Sequence, residues 1–395
     1  MKTYKKHKIN TLSIIVVLLT FDAIVIPFFR ISIADLVFVN LFLVSLNSNL
    51  AFLKSVKLLV IYFPLILILN AVIYYMNDYF ITSKIDVFKS SSGFIRPFFY
   101  SIISMFLFER MKKLEINLES IYLVISKAGI ILTVIVFAQY FAFIPIMFHN
   151  NPSFGEVGRI TDFTLGYRPT GLTNEASFIG IYLVLMLSIL VFLKSKIRES
   201  LNVWERNYDI LLLIGIFFTT SRLALLLALF LLIFKSSFTQ KVIGLIMISI
   251  LLVINASTYN RFLILFDGSG DNSTIERFGS NQAYLDAFFN DLSIKGTGYL
   301  NANSKVNYFL DPTVEFVLDG RNLPSFSLPL QLIVEFGLPI VFFLFFLLIL
   351  YRKIFFKLPF VAIILCSFLT GIQNFLFVYF FFSLALYVTN NKYHS

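Results

Sequence analysis

Arg222 is the one charged residue in the apolar stretch 210–234, which spans 25 residues. A guanidinium at bilayer depth costs about 3 kcal/mol on insertion scales, so it must face protein, water or an anion. Basic residues flank the stretch at both ends, and basic loops stay in the cytoplasm. We therefore predict two short helices, about 208–220 and about 223–236, that meet at residues 219–222 on the outer side. Arg222 then lies at the floor of an outward-facing cavity, where it suits a membrane-borne anion.

A second group of chemistry-bearing residues lies where a predicted outer loop becomes a helix. Arg168 precedes Pro169 and Gly171, a pattern that is typical of a tight turn. Glu175 follows at the start of the predicted helix, where a carboxylate suits the helix dipole. Helix capping and catalysis are both open roles for Glu175. Arg168 lies on the turn itself, from which its side chain could reach inward.

Two further groups belong to the last third of the chain. Glu276 and Arg277 precede the turn 296–298 (Gly-Thr-Gly), which lacks the third glycine and the strand-to-helix context of a phosphate loop. A solvated ion pair is the alternative role for Glu276 and Arg277. Gln331 and Glu335 are four residues apart and share one face of a predicted helix. A carboxylate below the membrane surface must pair or protonate, and the arginines above are its nearest predicted partners.

Arginines that converge on one outward cavity indicate pyrophosphate, because the guanidinium fork matches phosphate oxygens and stays charged when desolvated. Arg96 and Arg321 are additional candidates for this set. Transfer of a sugar from a lipid diphosphate develops negative charge on the leaving phosphate, and fixed cations lower that barrier without a metal. The three histidines are scattered along the chain, so no metal site and no cofactor is predicted.

Composition indicates the elements that must position these residues. The chain is 58% hydrophobic and 14% charged, whereas soluble domains are about 25% charged. We therefore predict an all-α polytopic membrane protein with about twelve transmembrane helices in one integral-membrane domain over 1–395. Most of the formal charge of +10 falls in loops assigned to the cytoplasm, so nucleic acid is excluded as a partner. The lone Cys366 excludes a disulfide framework.

Both termini are predicted to be cytoplasmic, and two outer loops interrupt the spans. The first loop covers 143–174. The large extracytoplasmic loop covers 258–326 and carries an amphipathic helix over 281–292, capped by Ser280, whose aromatic face either packs or stacks on sugars. The twelve spans run over about 10–29, 31–48, 57–76, 93–109, 120–142, 176–193, 208–220, 223–236, 242–257, 328–351 and, split at 371–374, the two halves of 358–389.

At these residues the chain resembles the O-antigen polymerase/ligase superfamily, membrane enzymes that act on undecaprenyl-diphosphate-linked glycans. The resemblance covers roughly residues 120–350. It rests on Arg168 with Gly171 and Glu175, on Ser221-Arg222, on Arg277 with the turn 296–298, and on residues 330–337. It implies a GT-C-like glycosyltransferase of the bacterial cytoplasmic membrane, in which Arg168, Arg222 and Arg277 hold the donor diphosphate. Glu175 or Glu335 would then orient the acceptor hydroxyl or act as the base.

One departure from the family pattern favours the polymerase branch. The ligases carry a His-Asn pair nine and eight residues before the Glu of the post-loop helix, and Phe326 and Ser327 occupy those places here. The expectation is a polymerase for O-antigen, capsule or exopolysaccharide that works with a flippase and a chain-length regulator. A ligase that transfers the finished glycan and a flippase or transporter for the same lipid are the two alternatives.

Overall fold

The computed structural model describes residues 2–21, 25–26, 31–46, 95–141, 169–173, 176–197, 201–202, 204–235, 272–290, 296–297, 302, 306, 308–309, 327–369 and 376–390. About 85% of these residues are helical, so the mainly helical fold is confirmed. The exception is a short antiparallel pair, β1 (Val25–Ile26) and β2 (Ile31–Ser32), in which Val25 pairs with Ser32 and Ile26 with Ile31.

The structure describes thirteen helices. They are α1 (Lys2–Leu18), α2 (Ile33–Leu46), α3 (Ile95–Lys113), α4 (Leu118–Tyr140), α5 (Ala176–Ile197), α6 (Tyr208–Phe218), α7 (Arg222–Lys235), α8 (Asn272–Asn290), α9 (Leu328–Phe336), α10 (Leu338–Leu350), α11 (Arg352–Phe355), α12 (Leu358–Leu369) and α13 (Leu376–Asn390). A single 3-10 turn, Glu205–Asn207, leads into α6.

Two of the described helices are long and apolar enough to cross a membrane, Leu118–Tyr140 and Ser177–Ile197. Four more apolar stretches are shorter: Ile9–Leu18, Leu338–Leu350, Leu358–Phe368 and Leu376–Asn390. Length and composition alone support these assignments, and a buried core helix of a soluble protein has the same features.

Helix α5 is the centre of the bundle. Its residues 179–190 are all buried, and it packs against α4, α6, α7, α12 and α13. Glycines allow the closest crossings. A Cβ added at Gly180 would lie 2.6 Å from the Cβ of Ala224 in α7, and one added at Gly215 in α6 would lie 2.3 Å from Oγ1 of Thr133 in α4. Small residues at such crossings let helix backbones approach closely, as in membrane helix pairs.

Polar contacts hold one set of helix ends together, here called the basic end. It is made of residues 110–118, 194–197, 201–202, 204–209, 352–358 and 387–390. Lys194 Nζ lies 2.7 Å from Asp209 Oδ2, and Tyr387 donates its hydroxyl hydrogen to the carbonyl of Ile116. The end holds Arg110, Lys112, Lys113, Lys194, Lys196, Arg206, Arg352, Lys353 and Lys357. The opposite ends of α4, α5, α6 and α7 meet at the turn end, made of residues 137–141, 169–173, 177–180 and 217–222.

Three predicted helix boundaries are wrong. The first span, predicted over 10–29, is a helix that ends at Leu18. Thr20 closes it by donating from its backbone N–H and its hydroxyl to the carbonyl of Val17. The β-branched residues Val25, Ile26 and Ile31 then pair as strands, as such residues prefer. The amphipathic helix starts at Asn272 and runs through Ser280, which is therefore no cap.

The third wrong boundary is the span predicted over 328–351. It is two helices, α9 and α10, which break at Gly337. Gly337 adopts a φ of 71°, and Pro339 follows in the first turn of α10, where its missing N–H costs nothing. The predicted spans over 57–76 and 242–257 lie outside the described residues. So do nearly all of the loop 143–174 and much of the loop 258–326.

Candidate functional site

The turn 169–173 is fastened to the end of α4 by one buried amide. Gln139 donates from Nε2 to the carbonyl of Gly171 over 2.9 Å, and the Gly171 N–H donates to Gln139 Oε1 over 2.7 Å. Thr173 closes the turn through its N–H and its hydroxyl, both donated to the carbonyl of Thr170. Because Gln139 makes two hydrogen bonds to Gly171, it fixes both the position and the direction of the backbone that follows Arg168.

The hairpin between α6 and α7 turns at Thr219, Thr220 and Ser221, all of them buried. Ser221 caps α7, since its Oγ accepts from the N–H of Ala224 over 3.4 Å. Thr220 has a φ of 54°, a conformation that a β-branched residue rarely adopts. Strain of this kind costs about 1–3 kcal/mol and is concentrated at ligand sites and switches. Arg222 is the next residue and the first of α7.

The turn and the hairpin meet the same part of α5. A Cβ added at Gly171 would lie 2.7 Å from Ile179, and one added at Gly180 would lie 3.2 Å from the Cβ of Ser221. Consecutive residues of α5 therefore contact the two segments. On the α4 side, the ring of Phe218 lies 4.9 Å from the ring of Phe137. Two segments that lie about fifty residues apart in sequence thus meet at the turn end. Each adjoins an arginine of the predicted diphosphate site.

Two threonine hydroxyls at the turn end have unmet hydrogen-bonding capacity. Thr170 and Thr220 are buried, and their Oγ1 atoms find no hydrogen-bond partner within the described part of the chain. A buried hydroxyl without a partner costs about 1–3 kcal/mol. One lies on the turn after Arg168 and the other directly precedes Ser221. A polar ligand that entered here would be offered donors by both segments.

The segment Gly296-Thr297 docks on the break between α9 and α10. Thr297 donates from its N–H to the carbonyl of Val334 over 3.0 Å. A Cβ added at Gly296 would lie only 2.4 Å from the carbonyl oxygen of Glu335 and 2.6 Å from the N of Gly337. Gly296 also has a φ of 68°, so only glycine fits on both counts. The first two residues of the predicted Gly-Thr-Gly turn thus contact the α9–α10 break through their backbone.

Glu335 lies one residue before the end of α9 and is 1% exposed. Gln331 donates from Nε2 to Glu335 Oε1 over 2.8 Å, in line with the predicted shared face. Helix α10 runs from this break to the basic end, a distance of about 20 Å for a helix of its length. The buried carboxylate is therefore about one helix length away from the lysines and arginines of the basic end.

Helix α8, which contains Arg277, packs on α9 through one small apolar cluster. Tyr284 is its largest member and is 2% exposed, while Gln282 and Asp286 bond to each other on the exposed side. The aromatic face of the amphipathic helix therefore packs against protein at Tyr284. The cluster comprises Ala283, Tyr284, Ala287, Ala302, Val306 and Val334. It joins the helix of the third predicted group, Glu276 and Arg277, to that of the fourth, Gln331 and Glu335, which lie about 55 residues apart in sequence.

For some of the predicted site residues the structure describes the side chain, and for others only the backbone. The side chains of Gln331 and Glu335 are described, and they are hydrogen-bonded to each other. Arg96, Arg222 and Arg277 are placed by their helices α3, α7 and α8, and only their backbones are described. Arg168, Glu175 and Arg321 lie outside the described residues. Pro169, which follows Arg168, is buried at the turn end.

Three structurally important polar residues had not been predicted. Gln139 is a lone amide near the end of an apolar span, and this position in the sequence could have indicated a buried polar contact. Asp35 is buried at the start of α2 and accepts from the N–H of Ser32 over 2.9 Å and from the hydroxyl of Tyr100. The Ser-x-x-Asp spacing before an apolar run is the sequence mark of such a capping pair. No feature of the sequence indicated the strained backbone conformation of Thr220.

Among the residues that the structure describes, no group of three or more His, Cys, Asp or Glu could hold a metal ion. No protein-family model matches the chain, and no curated protein or solved structure matches it either.

Proposed function

We propose that this protein is a GT-C-like glycosyltransferase of the bacterial cytoplasmic membrane, with about twelve spans and both termini inside. It polymerises O-antigen, capsule or exopolysaccharide repeat units that are linked to undecaprenyl diphosphate. The observation that carries the proposal is the meeting of the turn 169–173 with the hairpin 219–222 at the start of α5. Each segment adjoins an arginine, and together they offer the donors that a diphosphate needs.

The distribution of charge supports the orientation. Nine of the ten described lysines and arginines with known side-chain positions lie at the basic end, which suits cytoplasmic loops. The tenth, Lys127 in α4, donates to Asn10 of α1. The turn end then faces outward, where lipid-linked repeat units are joined. Arg96 begins α3, whose other end lies at the basic end, so its backbone also lies on the outer side.

The proposed reaction moves the growing glycan from its carrier to the next repeat unit. A hydroxyl at the non-reducing end of the lipid-linked acceptor attacks the anomeric carbon of the donor glycan. A new glycosidic C–O bond forms, and the C–O bond to the diphosphate breaks. Undecaprenyl diphosphate leaves with the electron pair, and Arg168, Arg222 and Arg277 stabilise its negative charge. The acceptor proton passes to Glu175 or Glu335.

The buried carboxylate at Glu335 suits the role of base or acceptor-orienting group. It lies at a helix break, and non-helical backbone inside membranes is tolerated where it lines a cavity or is covered by protein. Gln331 holds one carboxylate oxygen, which fixes its direction. No metal and no cofactor is part of the proposed mechanism, and a flippase and a chain-length regulator are the proposed partners.

The test is complementation in cells that lack this chain and accumulate single lipid-linked repeat units. We expect wild-type protein to restore long polymer and Arg222→Ala to lower the rate by about 10²–10³-fold, as for loss of one transition-state contact. Lys112→Ala, an exposed cation at the basic end, is the matched control and should polymerise normally.

The outcomes of this experiment distinguish the polymerase from the two alternative functions. Normal polymer length with an equally abundant, folded Arg222→Ala variant would remove Arg222 from the mechanism. Product on a second acceptor without chain extension would identify a ligase. Translocation that persists in a variant unable to polymerise would identify a flippase or transporter.

A further inference from the structure

A basic cavity of about 530 Å³ lies at the basic end, where α10 ends and α11 begins. Its polar lining is formed by Arg352, Lys353, Lys357, Thr389 and Asn390. Ile349, Leu350, Tyr351 and Ile354 form the apolar lining. Three of these nine described residues are cations, and none carries a carboxylate. The cavity therefore has a net positive lining beside an apolar one.

Two of the three cations are available to a ligand. Lys357 donates from Nζ to the carbonyl of Thr389 in the last turn of α13, so its positive charge stabilises the C-terminus of that helix. Arg352 and Lys353 are both exposed, and no hydrogen bond or ion pair of their side chains is found in the described part of the chain. Both side chains line the same cavity, so both can contact a single anionic group bound there.

The apolar wall of the cavity continues along α10. Phe342 is 66% exposed and Phe345 is 61% exposed, and Phe343 and Phe346 are similarly open. In water such a run would be a large unfavourable surface, since typical monomers rarely expose contiguous apolar patches beyond a few hundred Å². Helix α10 thus presents apolar side chains along its length, and the two cations follow its end directly, in α11.

We infer that this cavity binds an anionic glycerophospholipid, with the phosphate at Arg352 and Lys353 and the acyl chains along the exposed phenylalanines of α10. Lipid chains match the apolar face of the helix, and a negative headgroup matches the charge at its end. Basic pockets between helices on the cytoplasmic side are known to bind anionic headgroups. The inference rests on the membrane placement in the proposed function and not on the glycan chemistry.

The experiment titrates the full-length, delipidated protein in detergent with phosphatidylglycerol or with neutral phosphatidylcholine, and counts bound lipid by native mass spectrometry. We expect preferential binding of phosphatidylglycerol. The variant R352Q/K353Q should weaken it by roughly tenfold to thirtyfold, since each cation near a membrane surface adds about one factor of five. The swapped variant R352K/K353R keeps both charges and should retain the preference.

The matched control is R110Q/K112Q, which removes two cations from the same end outside the cavity. It should bind phosphatidylglycerol as the wild type does. Equal binding of both lipids by the wild type would overturn the inference, and so would an equal loss in the control. The assay contains no glycan, so a chain that fails as a polymerase can still pass this test, and a polymerising chain can fail it.

Discussion

The two ends of the bundle differ in how their polar groups are satisfied. At the basic end they are either paired within the chain, as Lys194 is with Asp209 at 2.7 Å and Lys196 with the carbonyl of Val388 at 3.4 Å, or exposed, as Arg352 and Lys353 are. At the turn end, the hydroxyls of Thr170 and Thr220 are buried without a partner among the described residues, and Thr220 is strained. Satisfied groups stabilise a fold, whereas unsatisfied and strained groups are typical of binding sites.

Under the proposed function, this contrast predicts that substitutions at the basic end act mainly on stability and that substitutions at the turn end act on polymerisation. The basic end ties helix termini together. The turn end holds backbone segments in fixed positions through one amide, Gln139, and through glycines that permit close contact. Substitutions at the basic end should therefore change stability alone, whereas substitutions at the turn end should also change polymerisation.

Glu335→Gln should abolish most polymerisation while leaving the protein folded. A general base contributes about 10²–10⁴ in rate, and glutamine cannot take the proton. Stability should hold, because the amide oxygen can still accept the hydrogen bond from Gln331. Polymer formation in membranes and thermal unfolding in detergent measure the two quantities separately.

Glu119→Gln is the control, since Glu119 is a carboxylate in the first turn of α4 at the basic end. It should leave polymerisation unchanged. A fully active Glu335→Gln variant would exclude the Glu335 carboxylate as the base and leave Glu175 for that role.

Gln139→Leu should loosen the turn 169–173 and lower stability by about 2–3 kcal/mol. Leucine removes both hydrogen bonds to Gly171 and leaves that buried N–H and carbonyl without these partners. Because Arg168 directly precedes this turn, polymerisation should fall even at temperatures where the protein is folded. Thermal unfolding and polymer length, measured on the same preparation, check both effects.

Thr133→Val is the matched control in the same helix. The Thr133 hydroxyl is buried and finds no hydrogen-bond partner in the part of the chain that the structure describes, so an apolar isostere should be neutral or stabilising. If Gln139→Leu were as harmless as Thr133→Val, the turn would be held by something other than the amide.

Long apolar runs were the predictable part of this fold. Helix α4 was predicted over 120–142 and observed over 118–140, and the turn of the hairpin was predicted at 219–222, next to the observed start of α7. Hydropathy locates such elements because burial of apolar side chains dominates their stability. The pairing of Gln331 with Glu335 also followed from helical spacing alone.

Elements that depend on tertiary contacts could not be predicted in the same way. The break at Gly337 exists where Gly296 and Thr297 dock against the backbone, a contact between residues about forty positions apart. The following Pro339 was the local hint. The early end of α1 depends on strand pairing between Val25–Ile26 and Ile31–Ser32, which a hydropathy pattern of period 3.6 does not reveal.

Breaking the Lys194–Asp209 pair should have the smallest effect and should leave polymerisation intact. The side chains are 20% and 14% exposed, and pairs in contact with solvent contribute about 0.2–1 kcal/mol. A double-mutant cycle with Lys194→Met and Asp209→Asn, read by thermal unfolding, should give a coupling energy in that range. If either single variant instead stopped polymerisation at normal abundance, the division between a structural end and a functional end would be wrong, because a group about one helix length from Glu335 would then control the chemistry.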